Sequence, residues 1–200
     1  MRAVEPLGEL PVSAHQERGD AARNRALLLE AARALVAERG ADAITMDDVA
    51  AAAGVGKGTL FRRFGSRAGL MMVLLDEDER ASQQAFLFGP PPLGPDAPPI
   101  DRLVAFGRER IRFVHTHHAL LSEANRDPRN RYNAPATVLR THVRLLLASA
   151  HTTGNLGVQT DALLALLDPD YVEHRLAEGG HTLETLGDAW ECLARKLCGR

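Results

Sequence analysis

Thr45-Met46-Asp47-Asp48-Val49-Ala50-Ala51-Ala52-Ala53-Gly54-Val55-Gly56-Lys57-Gly58-Thr59-Leu60-Phe61-Arg62-Arg63-Phe64-Gly65-Ser66-Arg67 is the stretch on which the fold turns. Thr45 and Asp48 have the spacing of a capping box: the hydroxyl accepts an orphan backbone N–H and the carboxylate reaches back to the cap. Met46, Val49, Ala50 and Ala53 then recur at helical spacing as a buried stripe. Gly54 makes a left-handed turn cheap at the end of that helix. A second short helix begins near Gly56 and runs through Phe64, where Gly65-Ser66 breaks the chain again. Helix, short glycine-containing turn, helix is the form of a DNA-binding helix-turn-helix. Leu60 and Phe64 share the face that pins the second helix to a core. Lys57, Thr59, Arg62 and Arg63 lie on the opposite face.

Upstream, Leu27, Leu28, Ala31, Ala32, Leu35 and Val36 predict a first helix from Asp20, stopped by Gly40 at a C-cap position. Residues 1–19, with Pro6, Gly8, Pro11 and Gly19, read as a mobile arm. Downstream, Ser66 caps a fourth helix that carries Leu70, Met71, Leu74 and Leu75 and runs to about Phe88. The six prolines of residues 89–99 then force a stiff loop. Helical patterns follow at about 100–122, 134–151, 160–177 and 182–198, with breakers at Asp127-Pro128, Gly154, Asp168-Pro169 and Gly179-Gly180. No alternating strand pattern occurs. The expected fold is all-α: a three-helix helix-turn-helix domain over 20–66 and a larger helical domain over 67–200.

Composition agrees. Hydrophobic residues make up 45% of the 200, and Ala and Leu dominate over β-branched and aromatic types, which favours helix. The net charge of -2 does not advertise a polyanionic partner, but the charge is unevenly placed. Residues 18–67 carry nine Arg/Lys against six Asp/Glu, and residues 68–100 carry one against five. Cys192 and Cys198 stand about 120° apart on a helix and imply no disulfide. No apolar run is long enough for a membrane span and no secretory leader is visible, so a cytoplasmic protein is expected. Gly54-Val55-Gly56-Lys57-Gly58-Thr59 is not a phosphate-cradling loop, because Ala51, Gly58 and a helix stand where that loop needs Gly, Ser/Thr and a strand.

The quoted stretch resembles the DNA-binding signature of the TetR family of transcriptional regulators, with the likeness extending over about residues 22–75. Its distinguishing pieces are Ala53-Gly54-Val55, Gly58-Thr59-Leu60-Phe61 and Phe64-Gly65-Ser66-Arg67. The resemblance implies a homodimeric regulator, by default a repressor, released from a palindromic operator by a small-molecule effector. It implies DNA contacts from Lys57, Gly58, Thr59, Phe61, Arg62 and Arg63, and a phosphate held by Arg67. Phe61 stands where the family usually has tyrosine, so a hydroxyl contact is lost. Arginine side chains can reach guanine or phosphate, and a Thr methyl can touch thymine. Thr45 places a hydroxyl and a helix N-terminus toward a further phosphate. Arg18, Arg23 and Arg25 either touch DNA as part of the arm or form a solvated basic face.

Beyond residue 75 only helicity is shared. Phe106, Arg110, Phe113, His117 and Leu121 form an apolar stripe interrupted by two polar groups, which must meet a partner or a ligand. With Asn125, Tyr132 and His142 they predict a site for a mostly apolar effector with an acidic or hydrogen-bonding handle, unless these groups are satisfied internally or point to solvent. Leu183, Leu186, Trp190, Leu193 and Leu197 make a narrow seam, with Leu163, Leu164, Leu166, Leu167 and Tyr171 as a partner stripe. Leu163, Leu167, Leu183, Leu186, Trp190 and Leu193 are the expected dimer contacts, the alternative being monomer core. His115, His117 and His118, with His142 or Glu123, offer a metal reading and with it an all-helical metal-dependent enzyme. The absence of a His-Glu-x-x-His pair, a nucleophile elbow or a carboxylate pair argues against catalysis. No cofactor or resident metal is expected.

Overall fold

The computed structural model describes residues 13–125 and 134–199. Among them the regular structure is helical throughout. The order is α1 (Ser13–Arg39), a 3-10 turn (Ala41–Ala43), α2 (Met46–Ala52), α3 (Lys57–Phe64), α4 (Arg67–Phe88), α5 (Pro99–Thr116), α6 (His118–Asn125), α7 (Ala134–Ser149), α8 (Leu156–Ala165), α9 (Pro169–Ala177) and α10 (Leu183–Leu197). No described helix is long and apolar enough to cross a membrane.

The chain divides into two compact units between Leu74 and Leu75, inside α4. The Gly65-Ser66 break predicts a boundary one helix-start earlier. The difference has a packing cause: Leu70, Met71 and Leu74 are buried, so the opening turns of α4 help close the first unit. Helix α1 starts at Ser13 rather than Asp20, so residues 13–19 are helical and not part of an irregular arm. Ala14, Gln16, Glu17 and Arg18 are good helix formers, and one interior glycine costs only about 1 kcal/mol.

In the first unit Leu28, Leu29, Ala32, Leu35, Ile44, Val49, Leu60 and Phe64 are buried together with the start of α4. In the second, Phe86, Leu103, Phe106, Val143, Leu147, Leu163 and Trp190 are core residues. Helix α5 is central there, packing against α7, α9 and most extensively α10. Trp190 of α10 is 1% exposed and donates its Nε1–H to the Leu103 carbonyl at 2.9 Å. It lies over Gly107 of α5, where any Cβ would meet the indole ring.

This packing places much of the expected dimer seam in the core of one chain. Leu163, Leu167, Leu186 and Trp190 are buried within one chain, and Leu183 and Leu193 are half-buried against the same core. A 3-4 spacing marks an apolar face, and here α5 of the same chain covers the α10 face. The predicted helix over 100–122 is two helices. His117 closes α5: its backbone N–H still donates to the Phe113 carbonyl at 3.0 Å, and its ring Nδ1 lies 2.9 Å from the same oxygen.

Candidate functional site

The turn between α2 and α3 forms as its residues require. The Thr45 hydroxyl accepts from Asp48 N–H at 3.2 Å, and the Asp48 carboxylate accepts from Thr45 N–H at 2.9 Å. Gly54 has φ 65, and Val55 N–H closes the turn onto the Ala50 carbonyl at 3.0 Å. Leu60 is fully buried and Phe64 nearly so, which fixes the roll of α3 about its axis. Lys57, Gly58, Phe61, Arg62 and Arg63 are consequently exposed, and Thr59 is half-buried. A Cβ on Gly58 would meet nothing within 4 Å. Helix propensity alone therefore disfavours glycine here by about 1 kcal/mol, with no packing inside the chain to offset it. Glycine at such a place suits close approach of another molecule.

Two of the expected phosphate ligands also make bonds within the chain. Arg67 donates from Nε to the Ile44 carbonyl at 3.0 Å and from a terminal nitrogen to Ala41, so it ties α4 to the turn before α2. Thr45, itself exposed, donates its hydroxyl to Asp48 at 2.6 Å, completing the cap. Those bonds, from the Thr45 side chain first and its backbone second, hold the Asp48 carboxyl below the usual range. Lys57 pairs with Asp47 at 2.6 Å and stands 5.8 Å from the Phe61 ring centroid. Both partners of that pair are mostly exposed. Arg23 and Arg25 are exposed and half-buried respectively, and the side chain of Arg18 lies outside the described residues.

In the second unit the predicted polar anchors separate. Arg110, 3% exposed, donates to Glu79 at 2.9 Å and to Ser82 at 3.2 Å, and its guanidinium lies 4.1 Å from the Phe113 ring centroid. Ser82 in turn donates to Glu109 at 3.0 Å. Burial pushes the Glu109 carboxyl up. His117 faces the Phe113 carbonyl on one side and Asp78 at 3.1 Å on the other. His117 is therefore satisfied inside the chain, and Arg110 is held by Glu79 and Ser82 although its Nε stays buried without a hydrogen-bond partner. Tyr132 and the side chain of Asn125 lie outside the described residues.

His142 remains. It is 5% exposed, stacked on Phe86 at 4.4 Å and Phe106 at 5.1 Å between ring centroids, and its Nε2 is buried without a hydrogen-bond partner. Arg102 stands nearby. It donates to the Phe86 carbonyl at 3.2 Å and leaves its own Nε buried and unpaired. Sequence reading passed over Arg102, although it sits one turn before Phe106 on the same stripe. Burial, with the charge of Arg102 adding to it, pushes His142 from 6.5 down to about 4. Between those values the unfolded chain takes up a proton that the folded chain refuses. The stability tied to the neutral ring is thus complete above pH 6.5 and drains away as the pH falls toward 4, a loss of about 3 kcal/mol at the acid end. Urea titrations at neutral and acid pH should show this loss in the wild type and not in H142F. Equal acid sensitivity in both would refute it.

The remaining histidines do not converge on an ion. His115 pairs with Glu173 at 3.1 Å, and His118 with Asp170 at 3.2 Å. Among the described residues no three His, Cys, Asp or Glu side chains are grouped to hold a metal.

Residues 28–72 match the family described as bacterial regulatory proteins, tetR family. Solved structures extend the likeness in fold to most of the chain. A TetR-like transcriptional regulator from Rhodococcus sp. RHA1 aligns with TM-score 0.59 and 23% identity over 88% of this chain and 97% of that one. A Saccharomonospora viridis protein described as a transcriptional regulator, in complex with choline, gives TM-score 0.67 and 17% identity over 86% and 95%. A TetR-family transcriptional regulator from Streptomyces coelicolor gives 0.58 and 19% over 88% and 97%. No curated protein matches the chain.

Proposed function

We propose that this chain, whose residues 28–72 match the tetR family and whose fold is TetR-like, represses transcription by binding a palindromic operator as a homodimer and leaves it when a small effector binds. The observation that carries the reading is α3: a short helix pinned by Leu60 and Phe64 that turns Lys57, Gly58, Phe61, Arg62 and Arg63 outward. Guanidinium groups on that face suit guanine edges and phosphates, and the bare backbone at Gly58 allows the helix to lie close in a major groove.

One helix of this length reads few base pairs. A two-fold dimer places two of them in successive grooves, roughly 34–36 Å apart. Because α10 turns much of its apolar face to α5, the proposed mate takes surface beyond it as well. Leu145 of α7 and Val158 of α8, exposed by 60% and 64%, lie on two helices that pack on each other, and they suit that role. The effector acts where His142 and Phe106 meet the last turn of α4, at Phe86. Helix α4 also supplies Leu70, Met71 and Leu74 to the DNA-binding unit, so displacing one end of it disturbs the other. A coupling of about 1–3 kcal/mol between the two sites suffices for a 5- to 150-fold change in operator affinity.

The test is fluorescence anisotropy with a duplex from the chain's own upstream region. R62A and R63A should each weaken binding about tenfold to a hundredfold, the equivalent of about 1–3 kcal/mol, with the dimer intact by sedimentation. Wild-type affinity in both variants would mean that α3 does not enter the groove.

A further inference from the structure

Two polar groups in the second unit are short of partners at the same place. The Nε2 of His142 and the Nε of Arg102 are both buried without a hydrogen-bond partner, and both side chains meet at Phe86, one on its ring and one on its carbonyl. Buried polar atoms left unpaired are costly enough that most folds avoid them, and a ligand is one way to satisfy them. The charge at this place is one-sided. Among the described residues no carboxylate lies within ion-pair distance of Arg102, whereas Arg108, six residues on, is held by Asp188 at 2.5 Å and Glu191 at 2.8 Å. The surroundings are aromatic and aliphatic: Phe86, Phe106 and Leu103 are fully buried, and the Trp190 ring lies 6.5 Å from that of Phe106.

We propose that this cluster binds a small organic anion, a carboxylate on an apolar body, with its head on Arg102 and His142 and its body against Phe86 and Phe106. The proposal rests on the effector reading above and narrows its chemistry. The carboxylate accepts from Arg102 Nε–H and from the imidazole Nε2–H, which satisfies both orphan donors with one group. Guanidinium–carboxylate bonds are among the stronger polar contacts a site can form, more so away from water. The choline complex of one similar fold involves a cation, so the sign of the ligand's charge must come from the residues of each chain. Here Arg102 opposes a cation.

The experiment uses the full chain and its own reporter, Trp190, the single tryptophan. Benzoate and octanoate are titrated beside benzamide, octanamide, benzylamine and octylamine, with tryptophan fluorescence as readout. One of the carboxylates should give a saturable change, its amide should bind at least tenfold more weakly, and the amines should be silent. R102Q should lose at least tenfold in carboxylate affinity. R102K, which keeps the charge, should retain part of it, so that a folding defect in the first variant does not hide the result. Amides or amines binding as well as carboxylates, no carboxylate binding at millimolar concentration, or wild-type affinity in R102Q with an intact melting curve would each overturn the proposal. The same ligands are added to the operator complex. A carboxylate that binds without weakening operator affinity leaves the anion site standing and removes the effector reading. Release by a neutral or cationic compound alone does the reverse.

Discussion

Replacing Arg110 by leucine lowers the unfolding free energy by about 3–5 kcal/mol, because it strands the buried Glu79 carboxylate without its counter-ion. The site leaves that carboxylate few alternatives. Arg110 is 3% exposed and Glu79 8%, and Gln83, which also donates to Glu79, is neutral. Removing both charges together, as in E79L/R110L, should recover most of the loss, since a buried pair often does no better than apolar side chains of similar size. Urea unfolding of the two single variants and the double variant gives the coupling directly. A loss under about 1 kcal/mol for R110L would show that the carboxylate finds water or a proton instead. The surface pairs of Arg108 offer the contrast. Their distances are as short, but Asp188 is 62% exposed, and such pairs contribute about 0–1 kcal/mol. The buried pair thus fixes how α4 lies along α5, and it does so within the second unit, in the helix proposed to carry the effector's signal.

The second large effect is expected at Gly107 and Trp190. Truncating Trp190 to alanine removes the largest fully buried side chain of the core, at a cost of about 3–5 kcal/mol. For a protein of this size that corresponds to a melting temperature lower by roughly 10 °C. Adding volume at the other side of the contact is equally harmful. In G107V the new methyls meet the indole ring from the moment α5 and α10 dock, and nothing behind Trp190 yields readily in a packed core. Circular dichroism should show G107V losing its cooperative melt, and G107A destabilised but partly rescued by W190L, which vacates the space. An unchanged melting temperature in G107A would mean that α10 can lift away from α5 without penalty.

How much of this was legible beforehand depends on the range of the interaction. The capping box at Thr45 and Asp48, the reversal at Gly54 and the inward face of Leu60 and Phe64 are local, and residues three or four apart announce them. Arg67 is different. Its partners are the Ile44 and Ala41 carbonyls, distant in sequence and backbone atoms besides, so no pattern of residue types records them. The α10 stripe was visible as a stripe, but spacing is silent on what covers it, and α5 of the same chain competes with a mate for that face. Arg110 and His117 were recognisable as polar groups on an apolar stripe. Their partners Glu79, Ser82 and Asp78 stand on α4, where Leu75, Glu79, Ser82 and Phe86 form the matching face. Pairing the two stripes accounts for the partners of Arg110 and His117, whereas His142 stands on α7, outside both stripes.

The Lys57–Asp47 contact has a bearing on how the protein treats DNA at large. If Lys57 contacts a phosphate as proposed, that phosphate must first displace a carboxylate the protein already supplies. The eviction is easy on an open surface, but every sequence incurs it, and only one that gains base contacts from the neighbouring arginines makes good the difference. On the proposed reading, an internal decoy of this kind would lower the protein's appetite for arbitrary polyanions and leave more of it to find its own sites.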